Sequence, residues 1–181
     1  MNTLLQLPAD IILSRRLFLI VTANRERGKL TELITGLILR SPLFIVAASE
    51  WLPAFELTRM VRKKTRQIKQ TLNGLRTARS STCYRLLDIL ASLPLNGEPI
   101  LVLDFLHTLY DPDVPLPDRF RVLRECCKHL QRLALHRPVI VIMQEMPVEE
   151  YEKFYSILCT IADETLFIDT ESEQVSQPAL L

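Results

Sequence analysis

Six short apolar runs punctuate the chain, at Leu17–Thr22, Leu43–Ala47, Thr71–Thr77, Ile100–Asp104, Val139–Met143 and Thr165–Asp169. The clearest of them, ILVLD and VIVIM, are apolar at nearly every position rather than at every second one. A strand with one wet face alternates, whereas a strand covered on both faces does not. The runs therefore predict parallel strands buried between two layers. Between them the period changes to three and four residues. Leu30, Leu33, Ile34, Leu37 and Ile38 form one apolar stripe, as do Cys83, Leu86, Leu87 and Leu90 before Pro94 and Gly97. Phe120, Leu123, Cys127, Leu130 and Ala134 predict a third helix after the loop DPDVPLPD, whose prolines forbid regular structure, with Asp118 as the expected N-cap. Tyr151, Phe154, Tyr155 and Leu158 predict another after Pro147. Strands alternating with helices make the expected fold α/β and doubly wound, with a mainly parallel central sheet.

At 181 residues the chain fits one domain with a sizeable core, and no internal repeat or low-complexity segment breaks it. The expected organisation is an extension over residues 1–14, a core over 15–170, and a tail over 171–181 that is polar and then apolar. The formal net charge is only +1, yet it hides an asymmetry. Nine basic residues and no acid lie between Leu57 and Leu87, while nine acids face one lysine between Glu145 and Glu173. A basic block inside a balanced chain points to an anionic partner, and the segment with Arg59, Arg62, Lys63, Lys64, Arg66 and Lys69 is the candidate nucleic-acid contact. The alternative for this segment is a solvated helix face. Trp51 and Phe55, just before it, are placed either to stack on bases or to pack on protein.

The N-terminus carries Asp10 and no early basic residue, unlike a signal peptide, and no apolar run is long enough to cross a bilayer. The four cysteines show no paired framework, so a reduced, cytoplasmic protein without membrane association is expected. Cys126, Cys127, His129 and His136 lack further ligands at matching spacing, so no structural metal is expected.

Chemistry enters with LFLIVTANRERGKLTELITGLILR, residues 17 to 40. An apolar run, a polar loop and then Gly28-Lys29 before a helical stripe is the layout of a phosphate-binding loop. There, backbone N–H groups at a helix start meet phosphate and the lysine adds a point charge. Ala23 stands where the first glycine belongs, and Leu30 where a hydroxyl would hold magnesium. Thr31 comes one residue late, about 100° further around the helix. Arg25 and Arg27 either add charge toward phosphates or are solvated loop residues. Downstream, PILVLD closes on Asp104, which either holds magnesium or caps a strand. LFIVAASE closes on Glu50, which either polarises a water or is an exposed loop acid.

The order of these pieces resembles the core of the RecA/RadA-type strand-exchange ATPases, over roughly residues 15 to 170. FIVAASEWLPAFELTRM is similar to the stretch that carries that family's catalytic glutamate, with Glu50 in place. LNGLRTARSSTCYRLLDILASLP is similar to its third strand and helix, and PILVLDFLHTLYD to its magnesium-aspartate strand. PVIVIMQE puts Gln144 where the family has a nucleotide-sensing glutamine. The resemblance implies a three-layer RecA-like fold, ATP and magnesium as ligands, and Gly28, Lys29, Thr31, Asp104 and Gln144 as nucleotide-binding residues. The departures are as definite. The phosphate loop is degenerate, only EMPVEE follows Gln144 where the family has a longer glycine-rich DNA-binding loop, and later strands are missing. The implied function is that of a minimal accessory relative in DNA recombination and repair, binding ATP and DNA with weak or no hydrolysis, alongside another RecA-like or partner protein. Two alternatives stand beside it: an active small ATPase of the circadian-clock or signalling branch, and an interaction scaffold without nucleotide.

Overall fold

The computed structural model describes residues 11–22, 27–145 and 148–168. The uniformly apolar runs become strands β1 (Leu17–Thr22), β2 (Leu43–Ala47), β4 (Ile100–Leu103) and β5 (Val139–Gln144), with β3 (Leu75–Arg79) and β6 (Glu164–Ile168) at the two edges. All pairings are parallel, and the strand order is β3-β2-β4-β5-β1-β6. Every residue of β1 and β4 is buried, as strands covered on both faces must be.

Side-chain alternation along these strands divides the core in two. Leu17, Leu19 and Val21 of β1, with Val139, Val141 and Met143 of β5, point to one face. There they meet α4 (Cys83–Ser92), α5 (Leu116–Ala134) and α6 (Glu149–Ile161). Phe18, Ile20, Ile140 and Ile142 point to the other face, against α1 (Arg27–Arg40) and α2 (Ala54–Lys64). A short helix, α3 (Ile68–Asn73), leads into β3. The result is a three-layer RecA-like α/β fold. Ile11 and Ile12 are buried in the α1-side core, so packing begins ahead of residue 15. The outer strand is locked by Asp163, whose carboxylate accepts the Leu17 N–H at 2.7 Å while its own N–H donates to the Leu17 carbonyl at 2.8 Å.

Two local expectations are corrected. The third run, Thr71–Thr77, is the end of α3 followed by the start of β3, which extends to Arg79. Its residues LRTAR are half-buried or exposed, because an edge strand has fewer neighbours to satisfy with apolar side chains. The longest helix starts at Leu116 with Pro115 as N-cap, not at Asp118. Pro117 lies in the first turn, where a missing N–H costs nothing. Asp118 instead faces Arg121, one turn on, at 3.3 Å.

Candidate functional site

All six strands run the same way, so the loops leaving their C-terminal ends gather at one edge of the sheet. A cleft of about 780 Å³ opens there. Ser49, Glu50 and Trp51 reach it from the loop after β2, and Arg79, Ser80 and Ser81 from the end of β3. Asp104, His107 and Tyr110 come from the segment after β4, Gln144 from the end of β5, and Arg27 from the start of α1. Three residues singled out in the sequence, Glu50, Asp104 and Gln144, thus share one cavity.

Asp104 is its centre. The residue lies one position beyond β4 with φ 52°, the only non-glycine residue with positive φ among those described. Aspartate tolerates this left-handed conformation better than most residues, yet such strain persists only where surrounding contacts hold it. The contacts are visible. The Ser49 hydroxyl donates to Asp104 Oδ2 at 2.5 Å, and Ser49 Oγ in turn accepts the Trp51 N–H at 3.2 Å. The Asp104 carbonyl accepts the His107 N–H at 2.8 Å, starting a single 3-10 turn over His107–Tyr110. Asp104 Oδ1 is buried and meets no hydrogen-bond partner among the described residues, and the same holds for the Tyr110 hydroxyl. Burial, with Tyr151 and Glu150 nearby, raises the Tyr110 phenol well above its ordinary value, so it is a hydrogen-bond donor throughout the physiological range.

Glu50 is exposed beside this pair, and Gln144 is half-buried. Arg27 opens α1 with its guanidinium 5.7 Å from the centroid of the Trp51 ring. Gly28 and Lys29 follow in the same helical turn. A side chain at Gly28 would meet nothing within 4 Å among the described residues. Leu30 is fully buried in the core. The Thr31 hydroxyl is also buried and donates to the Arg27 carbonyl at 2.8 Å, within its own helix. Ala23 and Arg25 lie outside the described residues.

The residues fit a magnesium nucleotide only in part. Asp104 offers a carboxylate oxygen without a partner among the described residues, which suits a cation or a cation-bound water. The position one after the lysine offers a core leucine instead of a hydroxyl. A metal held there would have one protein carboxylate in its shell. Among the described residues, no three His, Cys, Asp or Glu side chains converge on a common point. Cys126 and Cys127 are buried on α5, where desolvation pushes the Cys127 thiol up to about 12 and raises that of Cys126 as well.

The basic segment lies elsewhere. Arg59, Arg62, Lys63 and Lys64 are exposed on α2, whose buried face is Leu57 and Val61. Arg66 and Lys69 are exposed further on. The chain then returns to Gly74, whose carbonyl accepts the Leu43 N–H at 3.0 Å at the beginning of β2. The positive charges therefore run from the rim of the cleft along the flank of the sheet to its opposite edge. None of these six residues forms an ion pair among the described residues. Phe55, in the first turn of α2, is 76% exposed, and Trp51 is half-buried at the cleft.

Sequence reasoning missed Ser49, Ser80, Ser81 and Tyr110. Ser49 meets Asp104 at a sequence separation of 55, and no local pattern marks a serine for that task. Among the described residues no helix is long and apolar enough to cross a membrane. No protein-family model matches the chain, and no curated protein matches it significantly, so the reading of this site rests on its own residues.

Proposed function

We propose that the chain is a divergent RecA-like accessory protein of DNA recombination and repair that binds ATP at the C-terminal edge of its sheet and hydrolyses it weakly or not at all. The observation that carries this reading is the meeting of Glu50, Asp104 and Gln144 in one cleft, which Arg27 at the start of the Gly28–Lys29 turn also lines. Phosphates would meet the N–H groups of that turn and Lys29, and a magnesium ion would be held by Asp104 Oδ1. Magnesium, when bound, neutralises charge on the phosphates. Glu50, exposed and free to approach a water, would orient it, and Gln144 would report the terminal phosphate. The buried Leu30 and the inward-turned Thr31 hydroxyl remove one magnesium ligand, which favours binding over turnover. The basic α2–α3 flank would contact DNA phosphates without reading sequence. A further protein of similar kind is the expected partner.

Nucleotide binding is tested by thermal melting with and without magnesium ATP. An upward shift that Asp104→Asn and Lys29→Ala reduce supports the reading. No shift at millimolar nucleotide contradicts it.

A further inference from the structure

A parallel sheet opens a crevice wherever two neighbouring strands send their chains to opposite faces, because the departing loops part company. This sheet does so at three places. β1 leaves toward α1, while its neighbour β5 leaves toward α6 on the opposite face. That crevice belongs to the phosphate loop. β2 leaves toward α2, while both its neighbours, β3 and β4, leave toward α4 and α5 on the opposite face. The large cleft lies mainly over the end of β2 and both these crevices, since most of its lining follows β2, β3 and β4.

Its walls are chemically sorted. Arg79 is exposed at the end of the edge strand, with no ion pair among the described residues and with the Ser81 hydroxyl beside it in the chain. The Trp51 indole also lines the cleft, with the Arg27 guanidinium near its ring. In the same cleft Asp104 Oδ1 and the Tyr110 hydroxyl are buried without hydrogen-bond partners among the described residues. A buried polar atom left unpaired is costly, and two in one polar cleft mark a place built to meet another molecule. The walls are already fixed. The Ser80 N–H donates to the Ala47 carbonyl and the Ala48 N–H to the Leu103 carbonyl, each at 2.9 Å, and Ser49 bridges to Asp104.

We propose that the cleft around the end of β2 is a second nucleotide site, receiving one nucleoside phosphate. Its phosphate is bound by Arg79 and Ser81, its base stacks on Trp51, and a sugar hydroxyl or base amine donates to Asp104 Oδ1. This arrangement uses neither a γ-phosphate nor magnesium, and because it engages the Asp104 Oδ1 that the ATP reading gives to magnesium, the two ligands would exclude each other at that atom. The nucleotide comes either as a free monophosphate or as the 5′-terminal unit of a nucleic-acid strand, for which the basic flank of α2 offers a path away from the rim.

Trp51 is the only tryptophan of the chain, so its fluorescence reports this site directly. The full chain is titrated in EDTA with AMP and, separately, with a short 5′-phosphorylated oligothymidylate. The expected result is saturable quenching by at least one probe. AMP acting alone identifies a free nucleotide, and the oligonucleotide acting alone identifies a strand end. Arg79→Ala, an exposed edge position whose melting is checked in parallel, should weaken the effective probe by about tenfold, as loss of a charged hydrogen bond does. Lys29→Ala should leave that binding unchanged. The proposal is overturned by no quenching at millimolar AMP and at saturating oligonucleotide, by wild-type affinity in Arg79→Ala, or by loss of quenching in Lys29→Ala. Absence of a magnesium-ATP melting shift alongside Arg79-dependent quenching would remove the ATP reading and leave this one standing.

Discussion

Replacing Asp104 separates backbone strain from side-chain chemistry at the centre of the cleft. Two variants are compared, Asp104→Ala and Asp104→Gly. Both lose the 2.5 Å bond from the Ser49 hydroxyl, a partly buried, charge-assisted contact. Such bonds contribute about 1.5–3 kcal/mol, so both variants should be less stable than the parent. They differ only in what the backbone tolerates. At φ 52° alanine suffers the clash of its Cβ with the following carbonyl, about 1 kcal/mol, and glycine does not. Glycine should therefore be the more stable of the two by about 1 kcal/mol, the reverse of the order in an ordinary strand or helix. In a domain of this size that is about 2–4 °C in Tm. Urea unfolding at 25 °C followed by circular dichroism supplies the free energies, and calorimetry the melting temperatures. An alanine variant as stable as the glycine variant, or more so, would mean that residue 104 is not held in the left-handed region. The strained-aspartate description of the site would then be wrong.

Gly97 has φ 142°, and a Cβ there would come within 2.7 Å of Arg137 Nη1. Arg137 is itself buried and donates to the Glu98 carbonyl at 3.1 Å, so Gly97→Ala should destabilise by about 2–4 kcal/mol in urea melts, while Gly28→Ala, with open space around it, should not. Thiol labelling at pH 8 should show one accessible cysteine, Cys159, with Cys83, Cys126 and Cys127 reacting only on unfolding, because they are buried and desolvation raises their thiols. Three fast thiols in the native protein would contradict the packing of α4 on α5. Single-stranded DNA should bind with an affinity that falls steeply with salt and that drops about tenfold or more in the Lys63→Glu/Lys64→Glu double variant. Salt-independent binding, or an unchanged double variant, would remove the flank from the interface.

Much of the fold can be read from the sequence because its central strands are buried on both faces. ILVLD and VIVIM carry no polar position until they reach the functional edge, and that is where Asp104 and Gln144 stand. The apolar stripe from Leu30 to Ile38 marks α1 for the same reason, since one continuous face is removed from water. Legibility fails where burial fails. β3 is an edge strand rich in exposed residues, so its boundary was obscured by the neighbouring helix α3. The start of α5 depends on how Pro115 and Pro117 preset the backbone, which outweighs the capping tendency of Asp118. The site was legible only at strand ends. Its remaining features arise from contacts between distant segments: Ser49 with Asp104, and Arg27 with Trp51. The positive φ of Asp104 has no signature in the residue type, and the inward turn of the Thr31 hydroxyl follows from helix geometry that spacing alone leaves open.

The central claim, that this edge of the sheet still binds ATP, is most directly tested by the melting temperature of the full chain with magnesium ATP. A ligand that binds only the folded state at a hundredfold excess over its Kd adds about 2.7 kcal/mol. In a domain of this size that corresponds to a rise of about 5–10 °C. The account predicts such a rise for the parent and a clearly smaller one for Lys29→Ala and Asp104→Asn. An unchanged melting temperature at millimolar magnesium ATP, or an equal rise in all three proteins, would contradict it.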